Sequence, residues 1–181
     1  MFSLIVGAAA SGKSAYAEAV ACGNAAHPRV YIATLEPHDD AENCARIARH
    51  QAQRAAARFA TIECPRNLGS LDVAAVRGAS VLLDTLGTLV ANELYAADGS
   101  LADPAAVEDA VVAGVLRLAH ASERLVVVTD EVFSAGANYG GETLVYLRVL
   151  AAINRRLAQE AVCVVEVVSG CPVVLKGVAP Q

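Results

Sequence analysis

A chain of 181 residues is the length of one domain able to bury its own core, and residues 1–181 are read as a single unit. With 55% hydrophobic and 18% charged residues it is too apolar for a disordered chain and too weakly charged for a coiled coil. A net charge of −5, with twelve arginines against two lysines, excludes a non-specific nucleic-acid binder.

Residues 2–6 read as a buried strand ending at Gly7, followed by a helix over 13–21. RVYIAT over 29–34 is a second strand. A long helix is predicted over 39–58, with acids near its start and arginines later, the order a helix dipole favours. Residues 59–63 form a short edge strand closed by Pro65. ASVLLD over 79–84 is a buried strand, followed by a helix over 86–95. A polar connector leads through Pro104, a good first helical residue, into a helix ending near His120. RLVVVT over 124–129 is another buried strand, then a glycine-bearing loop over 134–141 and a helix over 142–159. Strands over 161–169 and 173–175 close the chain.

Continuous apolar strands interleaved with helices predict an α/β fold with a mostly parallel sheet covered on both faces. The last two strands have no helix between them and are predicted to pair as an antiparallel edge hairpin. The most apolar stretch contains Glu166 and is strand-length, so no membrane span is expected. The apolar N-terminus lacks a basic leader. Five cysteines (Cys22, Cys44, Cys64, Cys163, Cys171) form neither a CxxC pair nor a zinc spacing. Free buried thiols in a reducing cytoplasm are the expectation.

Gly7, Ala8, Ala9, Ala10, Ser11, Gly12, Lys13 and Ser14 match G-x-x-x-x-G-K-[ST], between a strand and a helix as that motif requires. Such a loop wraps phosphate with backbone N–H groups at a helix N-terminus. Lys13 would reach the β- and γ-phosphates of a nucleoside triphosphate, and Ser14 would hold Mg2+. A second carboxylate for the metal belongs at a neighbouring strand end. Asp84 is favoured there, with Asp130 and Glu131 on the rim of the site. Thr34 and Glu63, at the ends of the second and third strands, complete the nucleotide-binding candidates.

Arg46, His50, Arg54 and Arg58 recur every four residues and lie on one helix face. A solvated basic face explains that spacing, but a triphosphate would answer the charges. The arginines favour a neutral His50 imidazole, which is a nucleophile toward phosphorus. His27, His38 and His120 lack such neighbours and read as surface residues.

The early phosphate loop, the YIAT strand, ARIARHQAQR, VLLDTLGTLVANEL, VVVTDEV, AAINRRLAQ and VVSGCPVVLKG occur in order along the whole chain. Together they resemble the adenosylcobinamide kinase/adenosylcobinamide-phosphate guanylyltransferases. The resemblance implies a RecA-like P-loop fold, often a homotrimer, and two reactions. Adenosylcobinamide takes the γ-phosphate of ATP or GTP on its aminopropanol hydroxyl. A histidine, matching His50 here, then takes GMP from GTP and passes it to the phosphorylated corrinoid. The strand-end acid of the family falls on Asp84.

The chain departs from the family at Ala8 and Ala10, which replace a glycine and an arginine of the loop, and at Ala55, which replaces a proline. Over 130–138, Asp130 stands for asparagine and Phe133 for glycine. Asp130 adds negative charge near the phosphates. A signalling GTPase would need an Asn-Lys-x-Asp motif, which Lys13 and Lys176 cannot supply. A dinucleotide oxidoreductase would need G-x-G-x-x-G where GAAASG stands. A P-loop small-molecule kinase without guanylyl transfer, and a nucleotide-binding subunit without turnover, remain as alternatives.

Overall fold

The computed structural model describes residues 1–23, 27–36, 58–96, 98–132 and 140–179. Seven apolar runs are strands: β1 (Phe2–Gly7), β2 (Arg29–Ala33), β3 (Phe59–Glu63), β4 (Ser80–Asp84), β5 (Arg124–Asp130), β6 (Cys163–Val168) and β7 (Cys171–Lys176). They form one sheet in the order β3-β2-β4-β5-β1-β6-β7, parallel throughout except for the β6–β7 pair. The edge place of β3 and the antiparallel C-terminal hairpin are as the sequence predicts.

Among the described residues four α-helices lie between the strands: α1 (Lys13–Cys22), α2 (Leu86–Leu94), α3 (Pro104–Ala121) and α4 (Gly141–Glu160). Local chemistry sets their starts. The Thr85 side chain caps α2 by accepting from the Thr88 N–H, and Asp103 caps α3 ahead of Pro104 by accepting from the Ala105 N–H.

Alternate strand residues feed two cores. On one face Leu4, Ile32, Leu83 and Val127 belong to a core with Leu89, Val115 and Ile153 of α2, α3 and α4. On the other, Ile5, Tyr31, Leu82 and Val128 share a core with Ala17, Val20 and Ala21 of α1. Both faces of the central strands are covered, which is why β4 and β5 read as unbroken apolar runs. Full burial of one leucine such as Leu83 contributes about 2 kcal/mol.

Some expectations are corrected. Two single turns of 3-10 helix, Leu68–Ser70 and Val73–Val76, lie between β3 and β4, where no periodicity announces them. Cys64 and Cys163 are buried, but Cys22 is half-buried and Cys171 exposed, because Cys171 opens the uncovered edge strand β7. Of the histidines read as surface residues, His120 is exposed and His27 half-buried. Cys44, His38, the helix predicted over 39–58 up to residue 57, and residues 133–139 of the glycine-bearing loop lie outside the described residues. No described helix is long and apolar enough to cross a membrane.

Candidate active site

Parallel strands all point their C-terminal ends to one edge of the sheet, where ligands bind in open α/β folds. Here β1, β4 and β5 deliver Gly7, Asp84 and Asp130 to that edge. After Gly7 the chain turns through the loop, with the Ser11 N–H donating to the Ala8 carbonyl at 3.2 Å. Ala10 (φ 56°) and Gly12 (φ 90°) both sit in the left-handed region. The φ at residue 12 favours glycine, and a Cβ there would also lie a tight 3.3 Å from Gly170 Cα. Gly12 caps α1 with no side chain, so the first-turn amides of α1 are left for an external acceptor. The Ser11 hydroxyl is buried in this loop and, among the described residues, has no hydrogen-bond partner.

Lys13 opens α1 and is buried, 8% exposed. Its ammonium donates to the Ala8 carbonyl at 3.1 Å and pairs with Asp130 Oδ1 at 3.0 Å. Asp130 therefore stands against the phosphate-loop lysine, closer in than the rim position the sequence suggested. Its other carboxylate oxygen is packed against Gly87, where a Cβ would collide with it and would meet the Tyr146 hydroxyl at 3.0 Å. The Tyr146 hydroxyl donates to the Gly87 carbonyl at 3.4 Å. Burial, then the negative charge of Asp130, pushes the Tyr146 phenol up to about 12, so it stays protonated at neutral pH.

Asp84 is half-buried at the end of β4 and accepts a 2.7 Å hydrogen bond from the Tyr31 hydroxyl. Tyr31 belongs to the sheet face that α1 covers, so Asp84 is held on the side of the helix that starts with Lys13 and Ser14. Thr34 is fully buried, and its hydroxyl is committed to the backbone. It accepts from the Thr85 N–H at 2.9 Å and donates to the Thr85 carbonyl at 2.8 Å. It clasps the end of β2 to the start of α2. Glu63 is exposed on the edge strand, with β2, β4 and β5 between it and β1, roughly 19 Å across at ordinary strand spacing. Gly7, Ala8, Ala9, Ala10, Ser11, Gly12, Lys13, Ser14, Asp84 and Asp130 are thus brought to one edge. Arg46, His50 and Arg54 lie outside the described residues.

Sequence reasoning missed Tyr31, Gly87 and Tyr146. Tyr31 carried one signal, a hydroxyl inside an otherwise apolar strand, which needs a buried partner. Nothing in spacing links Gly87 to Tyr146 on another helix.

Three comparisons bear on this arrangement. The family model described as "Cobinamide kinase / cobinamide phosphate guanyltransferase" matches residues 3–175. The bifunctional adenosylcobalamin biosynthesis protein CobU of Salmonella typhimurium is 37% identical over 187 residues, covering 97% of this chain and all of that protein. Among solved structures, the flagellar accessory protein FlaH of Methanocaldococcus jannaschii superposes with a TM-score of 0.51 at 11% identity, over 97% of this chain and 78% of that one. The FlaH likeness is one of fold alone, a RecA-like P-loop NTPase fold.

Proposed function

The chain belongs to the cobinamide kinase/cobinamide phosphate guanyltransferase family, and from that premise we propose how its own residues divide the two reactions. It is an adenosylcobinamide kinase and adenosylcobinamide-phosphate guanylyltransferase of cobalamin biosynthesis. In the first reaction the triphosphate of ATP or GTP lies in the loop over Gly7–Ser14, with Lys13 on the β- and γ-phosphates. The orphaned Ser11 hydroxyl and the uncapped amides of α1 are donors that a phosphate would satisfy. The Ser14 hydroxyl and the Asp84 carboxylate are hard oxygen donors of the kind Mg2+ takes. When bound, the ion would neutralise charge on the phosphates. Tyr31 holds the Asp84 carboxylate for that role.

In the second reaction His50 attacks the α-phosphorus of GTP. The bond to the β-phosphate breaks, pyrophosphate leaves, and a guanylyl-histidine remains. An oxygen of the cobinamide phosphate then displaces His50 from phosphorus to give adenosylcobinamide-GDP. Arg46 and Arg54, one turn either side of His50 in a helical register, offset the phosphate charge. Thr34 supports the site from behind, and Glu63 lines its far side.

The observation that carries this reading is the buried Lys13 ammonium, set between the phosphate loop and a strand-end carboxylate. Intact-protein mass after incubation with GTP and Mg2+ tests it. The expected result is a gain of one GMP that is acid-labile and absent in His50→Ala. A folded, GTP-binding protein without the adduct would overturn the guanylyl-histidine.

The remaining expectations follow from exposure and redox state. Residues 1–181 act as one unit. The four described cysteines are free, which suits a reducing cytoplasm. The exposed β7, with Val173, Val174 and Leu175 at 42–60% exposure, suits contact with further copies of the chain in a homo-oligomer such as a trimer.

A further inference from the structure

We propose that Thr34 and Asn92 are positioning residues for Mg2+ binding: together they hold the backbone just past Asp84 and so fix the direction in which that carboxylate leaves β4. This rests on the metal role given to Asp84 above and names what keeps it in place. Ala33 and Asp84 are register partners at the ends of β2 and β4. One step further the ladder thins to a long bond, the Thr34 N–H donating to the Asp84 carbonyl at 3.5 Å. The buried Thr34 hydroxyl takes over from there. It accepts from the Thr85 N–H at 2.9 Å and donates to the Thr85 carbonyl at 2.8 Å. Both backbone groups of the residue after Asp84 are thereby engaged by one side chain.

Thr34 is itself held. Asn92, on α2, divides its side-chain N–H donors between the Thr34 and Pro65 carbonyls, each at 2.9 Å. The Arg66 guanidinium secures Asn92 in turn, donating to its backbone carbonyl and, at 3.0 Å, to the Tyr95 carbonyl. A cation among the last carbonyls of α2 also suits the negative end of the helix dipole. The circuit closes, because α2 starts from Thr85 and returns to Thr34 through Asn92, about two turns along. The exits of β2 and β3 and the whole of α2 are tied at this one residue.

The need is geometric. Mg2+ takes oxygen ligands at about 2.0–2.1 Å in near-ideal octahedral geometry, so a carboxylate that swings on its backbone loses the ion. Tyr31 steadies the Asp84 carboxylate at its outer end. Thr34, backed by Asn92, steadies the chain from which that side chain grows. Groups that stand behind a metal ligand without touching the ion carry about 10- to 100-fold in metal affinity.

Mn2+ in place of Mg2+, titrated by electron paramagnetic resonance into the protein with the α,β-methylene analogue of GTP, reads the metal site without turnover. Thr34→Val keeps the side-chain shape and removes both hydrogen bonds to Thr85. Its Mn2+ dissociation constant should rise about 10-fold or more, while its metal-free affinity for the analogue should not change. Thr34→Ser keeps the hydroxyl and should restore Mn2+ binding. Parent-like Mn2+ affinity in Thr34→Val would overturn the proposal. So would a matching loss of metal-free nucleotide affinity, which makes Thr34 a support of the whole site, or a serine variant as weak as the valine one. If Thr34→Val does not fold, Asn92→Ala decides. Its Mn2+ dissociation constant should rise about fivefold, one hydrogen bond's worth, and no rise sinks the idea. Asp84→Asn tests the premise separately: if it binds Mn2+ as the parent does, the metal role of Asp84 fails, whatever the Thr34 variants do.

Discussion

Adjacent parallel strands β4 and β5 each end in an aspartate at the same edge of the sheet, yet the two carboxylates are held in opposite ways. Asp84 accepts from a neutral phenol, Tyr31, at 2.7 Å, a hydrogen bond that orients the carboxylate. Asp130 is 3.0 Å from the Lys13 ammonium, which already balances that charge. Equivalent places on equivalent strands therefore do not carry equivalent chemistry. The described partners differ: a phenol orients the Asp84 carboxylate, and the phosphate-loop ammonium pairs with Asp130.

The contrast can be tested hardest at Asp84. Asp84→Asn should slow both cobinamide phosphorylation and GMP adduct formation by about 100- to 1,000-fold, as removal of a preorganised charge does in such sites. Initial rates at saturating Mg2+ read the effect, and unchanged rates would remove Asp84 from the metal-binding role. A smaller effect is expected at the group that holds Asp84. Tyr31→Phe removes a hydrogen bond to a half-buried carboxylate and should cost about 1–2 kcal/mol in urea unfolding. The smallest concerns Asp130 through Tyr146, whose phenol is raised from the ordinary value to about 12 by burial and the aspartate charge. Below about pH 10 the phenol is protonated in both the folded and unfolded chains. From there to about pH 12 the unfolded chain loses this proton first, so the contribution to stability disappears as pH rises. Tyr146→Phe lacks that decline, so its urea midpoint should fall less between pH 9 and pH 11 than the parent's.

The sheet was legible because its signals are local. Apolar runs bounded by glycine, proline or a charged residue gave β1 to β6 within one or two residues, and the phosphate loop announced itself by spacing alone. The site's interior was not. That Asp130 reaches Lys13 depends on side-chain directions at two strand ends, and the meeting of Gly87 with Tyr146 joins residues 59 apart on different helices. The edge place of β7 was legible from the missing helix before it, but its exposure along its whole length was not, because CPVVLK is as apolar as a buried strand.

The phosphate loop is also stitched to the rest of the edge. The Gly7 carbonyl accepts from the Glu131 N–H at 2.9 Å, and the Ser11 carbonyl accepts from the Gly170 N–H at 2.8 Å, in the turn of the C-terminal hairpin. A loop fixed from both sides before any phosphate arrives loses little freedom on association, so binding is spared most of the ordering entropy that a floppy anion site must overcome. The left-handed turn at Ala10, of order 1–2 kcal/mol for a residue with a Cβ, is borne by folding and not by ligand capture. In this protein the turn between the last two strands thus belongs, thermodynamically, to the nucleotide's welcome at the first.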